Sequence, residues 1–231
     1  MLIANINETY HLYPIFLIGS LIIGILIPSI QLAKAGMRKD ILLCVGLLNM
    51  FMALFFGAMY TMIANRNFNL LQIGFSSLGG LIGFLSGTYI FYLMCDKDKK
   101  ILENYVVSLP LIYGISKMGC FFAGCCHGIE YSGILNVRYE EGSACALTGN
   151  VFPVQITETI VFFLIYFLMR KKKENIVVTT LLFSALAKLS LDFLRYSHEG
   201  KILSGNQIVC LMIAAVCAIY ILVRGRKNEQ Y

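Results

Sequence analysis

Near the middle of the chain, Lys117 to Gly128 read KMGCFFAGCCHG, setting a lysine, three cysteines and a histidine among apolar residues and glycines. Thiols so placed have several chemical uses. Cys145 can pair with Cys125 or Cys126 in a disulfide that staples a loop on the oxidising side of a membrane. A thiol whose pKa is lowered by Lys117, or whose proton is taken by His127, can attack an acyl or glyceryl carbon. The cysteines together with His127 can hold zinc, although C-x4-C-C-H lacks the paired C-x2-C of structural sites. They can also pack as small apolar side chains, the expected role of Cys44, Cys95, Cys210 and Cys217 in their apolar surroundings. Spacing alone does not choose among these uses for Cys120, Cys125, Cys126 and Cys145.

Four ionisable residues fall inside or at the edge of apolar runs: Lys117, Glu158, Lys188 and Asp192. A charge at the centre of a membrane helix costs about 2.5–3.5 kcal/mol even on the lenient insertion scale, so such groups face a cavity or one another. Lys188, Asp192 and Arg195 follow as K-x-x-x-D-x-x-R, which places them on neighbouring positions of one helical face. Gln155 and Glu158 are three apart in PVQITE and share a face, with Pro153 opening the helix where its missing N–H costs nothing. A salt bridge between Lys188 and Asp192 and a helix-start role for Glu158 are the structural readings. Converging cations with a carboxylate and an amide suit an anionic lipid head group, since lysine binds phosphate as a point charge.

The elements that must carry these residues are membrane helices. The chain has 231 residues, 58% of them hydrophobic, a mean hydropathy of +0.74 and 14% charged residues, against roughly 25% in an average soluble domain. Apolar runs near the ~20 residues needed to span a bilayer occupy residues 13–33, 41–64, 72–95, 105–124, 153–169, 176–194 and 206–223. The fold class expected is an all-α integral membrane protein of seven transmembrane helices. Thirteen of the nineteen lysines and arginines fall in alternate gaps: Lys34 to Lys39, Lys97 to Lys100, Arg170 to Lys173, and Arg224 to Lys227. Positive loops stay inside, which places the N-terminus outside, the C-terminus in the cytoplasm and the loop at about 125–152 on the outer face. That loop, with Arg138, Glu140, Glu141, Ser143 and Asn150, is expected to form a small structured cap.

No internal repeat or linker interrupts the chain, so residues 1–231 read as one domain. The first ten residues lack the basic start of a secretory signal, and the first run is expected to be kept as a helix. The net charge of +6 is explained by inner-leaflet lipid rather than by nucleic acid. Gly79, Gly83 and Gly87 recur every four residues, a spacing that lets membrane helices approach closely. Gly79 and Gly80 also stand where the backbone could open to a ligand.

Four ordered segments, GGLIG, KMGCFFAGCCHG, FPVQITE and AKLSLDFLR followed by LSGNQ, resemble the prolipoprotein diacylglyceryl transferase family over about residues 72–209. The resemblance implies a seven-helix bacterial cytoplasmic-membrane enzyme with its N-terminus outside. Such enzymes transfer diacylglyceryl from phosphatidylglycerol to the lipobox cysteine thiol of a lipoprotein precursor, with no cofactor and no metal. The signature of the family, similar to GRxGNFxNGExxG, is matched at Gly119, Phe121, Gly124 and Gly128. Lys117 stands for its arginine, Cys120 for asparagine and Cys125 for glutamate. Lys188 and Asp192 stand for an arginine and a glutamate of the sixth helix, and Phe152 for a histidine. Pro153, Gln155, Glu158, Arg195 and Gln207 agree, while Leu78 occupies the place of a catalytic histidine. A GCC signature of this kind resembles a divergent branch of the family. The resemblance implies Lys117, Lys188 and Glu158 as catalytic, and His127, whose unperturbed pKa is about 6.5, is a candidate base by its chemistry. The resemblance also implies Gly79, Gly80, Gly119, Cys120, Cys125, Gln155, Asp192, Arg195 and Gln207 as contacts to phospholipid. The acceptor would be a thiol; a different acceptor, or a silent lipid-binding protein, would use the same scaffold.

Overall fold

A computed structural model describes residues 5–6, 12–66, 75–139, 145, 147, 149–172 and 174–228. Glu140, Glu141, Ser143 and Lys173, and the first three positions of the run expected at 72–95, lie outside the described residues. The helices are α1 (Leu12–Lys34), α2 (Lys39–Asn65), α3 (Ser77–Met94), α4 (Lys99–Ala123), α5 (Val154–Met169), α6 (Ile176–Asp192) and α7 (Gly205–Asn228). Each corresponds to one expected run. The largest boundary difference is at α4, which starts at Lys99 rather than 105 because KKILEN is polar yet helix-forming. The Asp98 carboxylate accepts from the Lys100 N–H at 2.9 Å, and Ile101 and Tyr105 are buried one turn apart.

The all-α expectation omits a three-stranded sheet. β1 (Asn5–Ile6) pairs in parallel with β2 (Val137–Tyr139), and β2 pairs antiparallel with β3 (Asn150–Val151). The sheet gives the expected outer loop its structure. Val137, Tyr139 and Val151 pack with Phe121 from the end of α4, and Cys145 joins that cluster.

Among the described residues five helices, α1, α2, α3, α4 and α7, are long and apolar enough to cross a membrane. α5 has 16 residues and α6 has 17; at 1.5 Å per residue they rise only about 24–26 Å, short of a ~30 Å core. Burial is inverted relative to a water-soluble fold. Ile15, Leu43, Leu47, Phe51, Phe55 and Leu222 are exposed, while Ser20, Asn49, Thr88, Gln155, Glu158 and Gln207 are almost wholly buried. Polar groups kept inside and apolar ones outside are what a hydrocarbon solvent selects.

The chain divides into two compact units, residues 21–109 and residues 1–20 with 110–231, the divisions falling within α1 and α4. In the first unit α3 lies against α2 through its small residues. A Cβ added at Gly79 would meet the Phe56 carbonyl oxygen at 2.3 Å, one at Gly83 the Met52 carbonyl oxygen at 2.1 Å, and one at Gly87 the Asn49 side chain at 2.5 Å. Asn49 also donates to Thr88 Oγ1 at 3.0 Å, a buried bond between the two helices. Packing thus explains Gly79 as well as Gly83 and Gly87, and Gly80 faces the Phe75 ring. In the second unit α6 meets α7 through Ala185, Cys210 and Ala214. Cys210 and Cys217 are buried as expected, but Cys44 is exposed and Cys95 half-buried. Cys44 follows Leu43 on an apolar outer face of α2, where a lipid-facing thiol is as acceptable as a buried one.

Candidate functional site

The second unit brings the expected charges together around one carboxylate. α5 buries the stripe Gln155, Glu158, Thr159, Phe162, Ile165, Tyr166 and Met169, the three-and-four spacing of one helical face. Gly114 allows that face to lie close to α4: Thr159 Oγ1 donates to the Gly114 carbonyl at 3.0 Å, and a Cβ there would strike the Phe163 ring at 2.7 Å. The close approach sets Tyr113 and Lys117, four apart on α4, beside Glu158.

Glu158 is fully buried. Both its oxygens accept from Arg195 Nη2 at 2.7 Å, and Oε1 also accepts from Lys188 Nζ at 3.0 Å and from Tyr113 Oη at 2.9 Å. Lys117 Nζ lies 3.8 Å from Oε2. Lys188 is shared with Asp192 Oδ1 at 3.1 Å, and Arg195 Nε approaches the same oxygen at 3.5 Å. Among the described residues three cations therefore face two carboxylates, one positive charge in surplus. The Lys188–Asp192 pair is real but is part of this larger network, and Glu158 serves it rather than the start of α5.

The backbone aims Arg195 at this point. Gly128 and Arg195 form a β-bridge, Ile129 N donates to the Leu194 carbonyl at 3.1 Å, and Tyr196 N donates to the His127 carbonyl at 3.2 Å. The segment after α6 is thereby held against the segment after α4. Gln155 Nε2 donates to the Cys125 carbonyl at 2.9 Å and, more weakly, to Tyr139 Oη at 3.4 Å. Gln207, at the start of α7, accepts from Ser204 N at 2.8 Å and donates to the Leu189 carbonyl at 3.3 Å, and Ser204 Oγ donates to Asp192 Oδ2. Among the described residues Gln155 Oε1 and Arg195 Nε are buried without a hydrogen-bond partner.

Sequence reasoning missed Tyr113 and Ser204. Tyr113 donates to Glu158, accepts from Arg195 Nη2 at 3.3 Å, and lies under Lys117 Nζ at 4.9 Å and Lys188 Nζ at 5.8 Å. Its position one turn before Lys117 was the available signal. His127 is buried; its Nδ1 is 3.0 Å from the Gly128 carbonyl oxygen and its ring stacks on Tyr196 at 5.2 Å. Gly119 is in tight contact with α1, where a Cβ would meet Phe16 Cβ at 2.9 Å. His198 lies edge-on to Phe193 at 4.7 Å.

The cysteine alternatives separate as well. Among the described residues no disulfide joins Cys145 to Cys125 or Cys126, so the expected staple is not formed. Cys145 packs instead with the apolar cluster beneath the sheet. Sγ of Cys120, Cys125 and Cys126 lie within 4.8 Å of one another. Cys126 is exposed; hydrogen bonds to its sulfur from Cys120 and Cys125, and then the charge of Lys117, hold its thiol well below the ordinary range. Bonding with Cys120 and Cys126 pushes the Cys125 thiol up.

The profile of the family described as prolipoprotein diacylglyceryl transferase matches residues 2–223. The chain is similar to phosphatidylglycerol-prolipoprotein diacylglyceryl transferase of Clostridium tetani, 26% identical over 169 residues, which are 68% of this chain and 66% of that protein. It is also similar to phosphatidylglycerol-prolipoprotein diacylglyceryl transferase 2 of Clostridium perfringens, 24% identical over 149 residues, 61% of this chain and 58% of that protein. The matched segments thus span less than two thirds of each of these relatives.

Proposed function

The chain belongs to the prolipoprotein diacylglyceryl transferase family, and we propose that it moves diacylglyceryl from a phosphatidylglycerol-like phospholipid to a thiol acceptor, such as the lipobox cysteine of a lipoprotein precursor. In the reaction the acceptor sulfur forms a bond to the glyceryl carbon as the carbon–oxygen bond to phosphate breaks. Glycerol phosphate leaves, and the thiol proton passes to a base.

The observation that carries this reading is the surplus charge of the buried cluster. Among the described residues the carboxylates that Lys117, Lys188 and Arg195 meet are Glu158 and Asp192, so a phosphate monoanion would neutralise the group. Preorganised cations in a low-dielectric site stabilise the charge that develops on a leaving phosphate without reorganising. Arg195 Nε and Gln155 Oε1, both without a hydrogen-bond partner among the described residues, would donate to a phosphate oxygen and accept from a glycerol hydroxyl. Glu158 and Tyr113 orient the cations, and Ser204 and Gln207 fix Asp192. His127 is the proposed base, Leu78 standing where the resemblance places a histidine.

Seven spans, an external N-terminus and a bacterial cytoplasmic membrane complete the proposal. The alternating positive loops support the orientation, and burial of the charges on α5 and α6 lets these short helices reside in a bilayer.

The departures at Lys117, Cys120, Cys125 and Leu78 favour a second reading in which the same reaction serves another thiol. One assay separates the two. Purified protein is given phosphatidylglycerol labelled in its diacylglyceryl part and a lipobox peptide, and products are read by mass spectrometry. A thioether product that Lys188→Ala abolishes supports lipoprotein modification. No product beside an active family control rejects that acceptor, and no consumption of phosphatidylglycerol with any thiol rejects the transferase.

A further inference from the structure

The three thiols at the end of α4 support an inference independent of the phospholipid reaction. Cys120, Cys125 and Cys126 place their sulfurs within 4.8 Å of one another. Around a tetrahedral zinc ion with Zn–S of about 2.3 Å, ligand sulfurs stand about 3.8 Å apart, so modest side-chain rotation closes this triangle on one ion. Ordinary packing does not explain the arrangement, because Cys126 is exposed and Cys125 half-exposed.

The backbone supplies a second observation. After Gly124, at φ 73°, the chain continues through Cys126 at φ 57°, a left-handed conformation that residues other than glycine adopt uncommonly and that concentrates at functional sites. The turn returns the chain toward Cys120, which sits in the last turn of α4. Gln155 holds it there through the Cys125 carbonyl at 2.9 Å.

Charge favours zinc over copper(I). Three thiolates around zinc(II) leave one negative charge, whereas around copper(I) they leave two. Lys117, almost fully buried and three residues before Cys120 on α4, is shared with Glu158, so the smaller residual charge is the better matched. Zinc is also redox-inert, which suits thiols on an oxidising face. Among the described residues the ligand cluster contains the three sulfurs and does not extend to His127, so the fourth coordination position has no protein ligand in this group.

We propose that Cys120, Cys125 and Cys126 form a three-thiolate zinc site whose fourth position is open to water or an external thiol. Zinc binding releases the thiol protons to solvent.

The test reads metal rather than transfer, so its failure and that of the transferase reading are distinguishable. Full-length protein is purified in detergent under a phosphine reductant, stripped of metal, and titrated with cobalt(II) and then zinc(II). One equivalent of cobalt is expected, with thiolate-to-cobalt absorption that zinc bleaches and a small monothiol intensifies. Cys120→Ser and Cys126→Ser should each weaken uptake by more than about tenfold, and Cys217→Ser should leave it unchanged. Because Cys126 is exposed, a Cys126→Ser protein with an unaltered melting temperature separates lost ligation from lost folding. Full uptake by Cys126→Ser, no uptake by protein whose three thiols alkylate freely, or preference for copper(I) would overturn the zinc site. A disulfide among the three in unreduced membranes would overturn it too, and no gain with monothiol would overturn the open position.

Discussion

Glu158 accepts from Arg195, Lys188 and Tyr113 and pairs with Lys117 while fully buried. Its replacement by glutamine keeps the shape but leaves three cations against Asp192 alone. Removing one member of a buried ion pair costs about 3–5 kcal/mol. Glu158→Gln should therefore melt well below the wild type in detergent and lose transfer; an unchanged melting temperature would show that the cations are solvated. Tyr113→Phe tests orientation instead. The ring under Lys117 and Lys188 is kept, and only the bonds to Glu158 and from Arg195 go. A lost buried hydrogen bond to a charged group is worth roughly 1.5 kcal/mol, near tenfold, so turnover should fall about tenfold with little change in folding. Lys188 and Asp192 were legible as a pair from their spacing. That Lys188 also answers to Glu158, thirty positions away, was not, because no local pattern encodes which helix face meets which.

Helix positions and types follow from apolar run length, and all seven agree with the runs. What run length misses is α4's polar first turn, since a helix can begin outside the hydrocarbon, and the sheet, whose two- and three-residue strands lie below any periodicity. Between α2 and α3 the determinant is side-chain absence. At Gly83 an added Cβ would sit 2.1 Å from the Met52 carbonyl oxygen, backbone that cannot swing aside. Gly83→Leu should separate the helices at a cost of about 1–3 kcal/mol, read as a lower melting temperature. Gly19, with open space around it, is the control expected to tolerate alanine. If Gly83→Leu melted as the wild type does, the α2–α3 contact would be less close than described.

For the whole molecule, charge and burial make separate claims. Exposed leucines and isoleucines with buried Asn49, Thr88, Gln155 and Glu158 indicate a lipid solvent. The distribution of lysine and arginine sets direction. Alkaline phosphatase fused at residue 132, within the proposed outer loop, should be active in a bacterial host, and fused after residue 224 it should be inactive. The reverse pattern would invert the proposed orientation, and equal activity would break the alternation of spans.

The sequence by itself determined the helices, because a bilayer imposes a length and a hydropathy that composition must meet. It also supplied the residues of the charged cluster, since ionisable groups within apolar runs are too costly to be incidental. The order and spacing of four segments carried the family resemblance. Only the tertiary structure decided that one carboxylate gathers all three cations, that His127 is inside rather than at the loop surface, and that Cys126 joins Cys120 and Cys125 while Cys145 does not. Those outcomes depend on where separate segments return in space: a left-handed turn after α4, a bridge from Gly128 to Arg195, and a glycine that lets α5 close on α4.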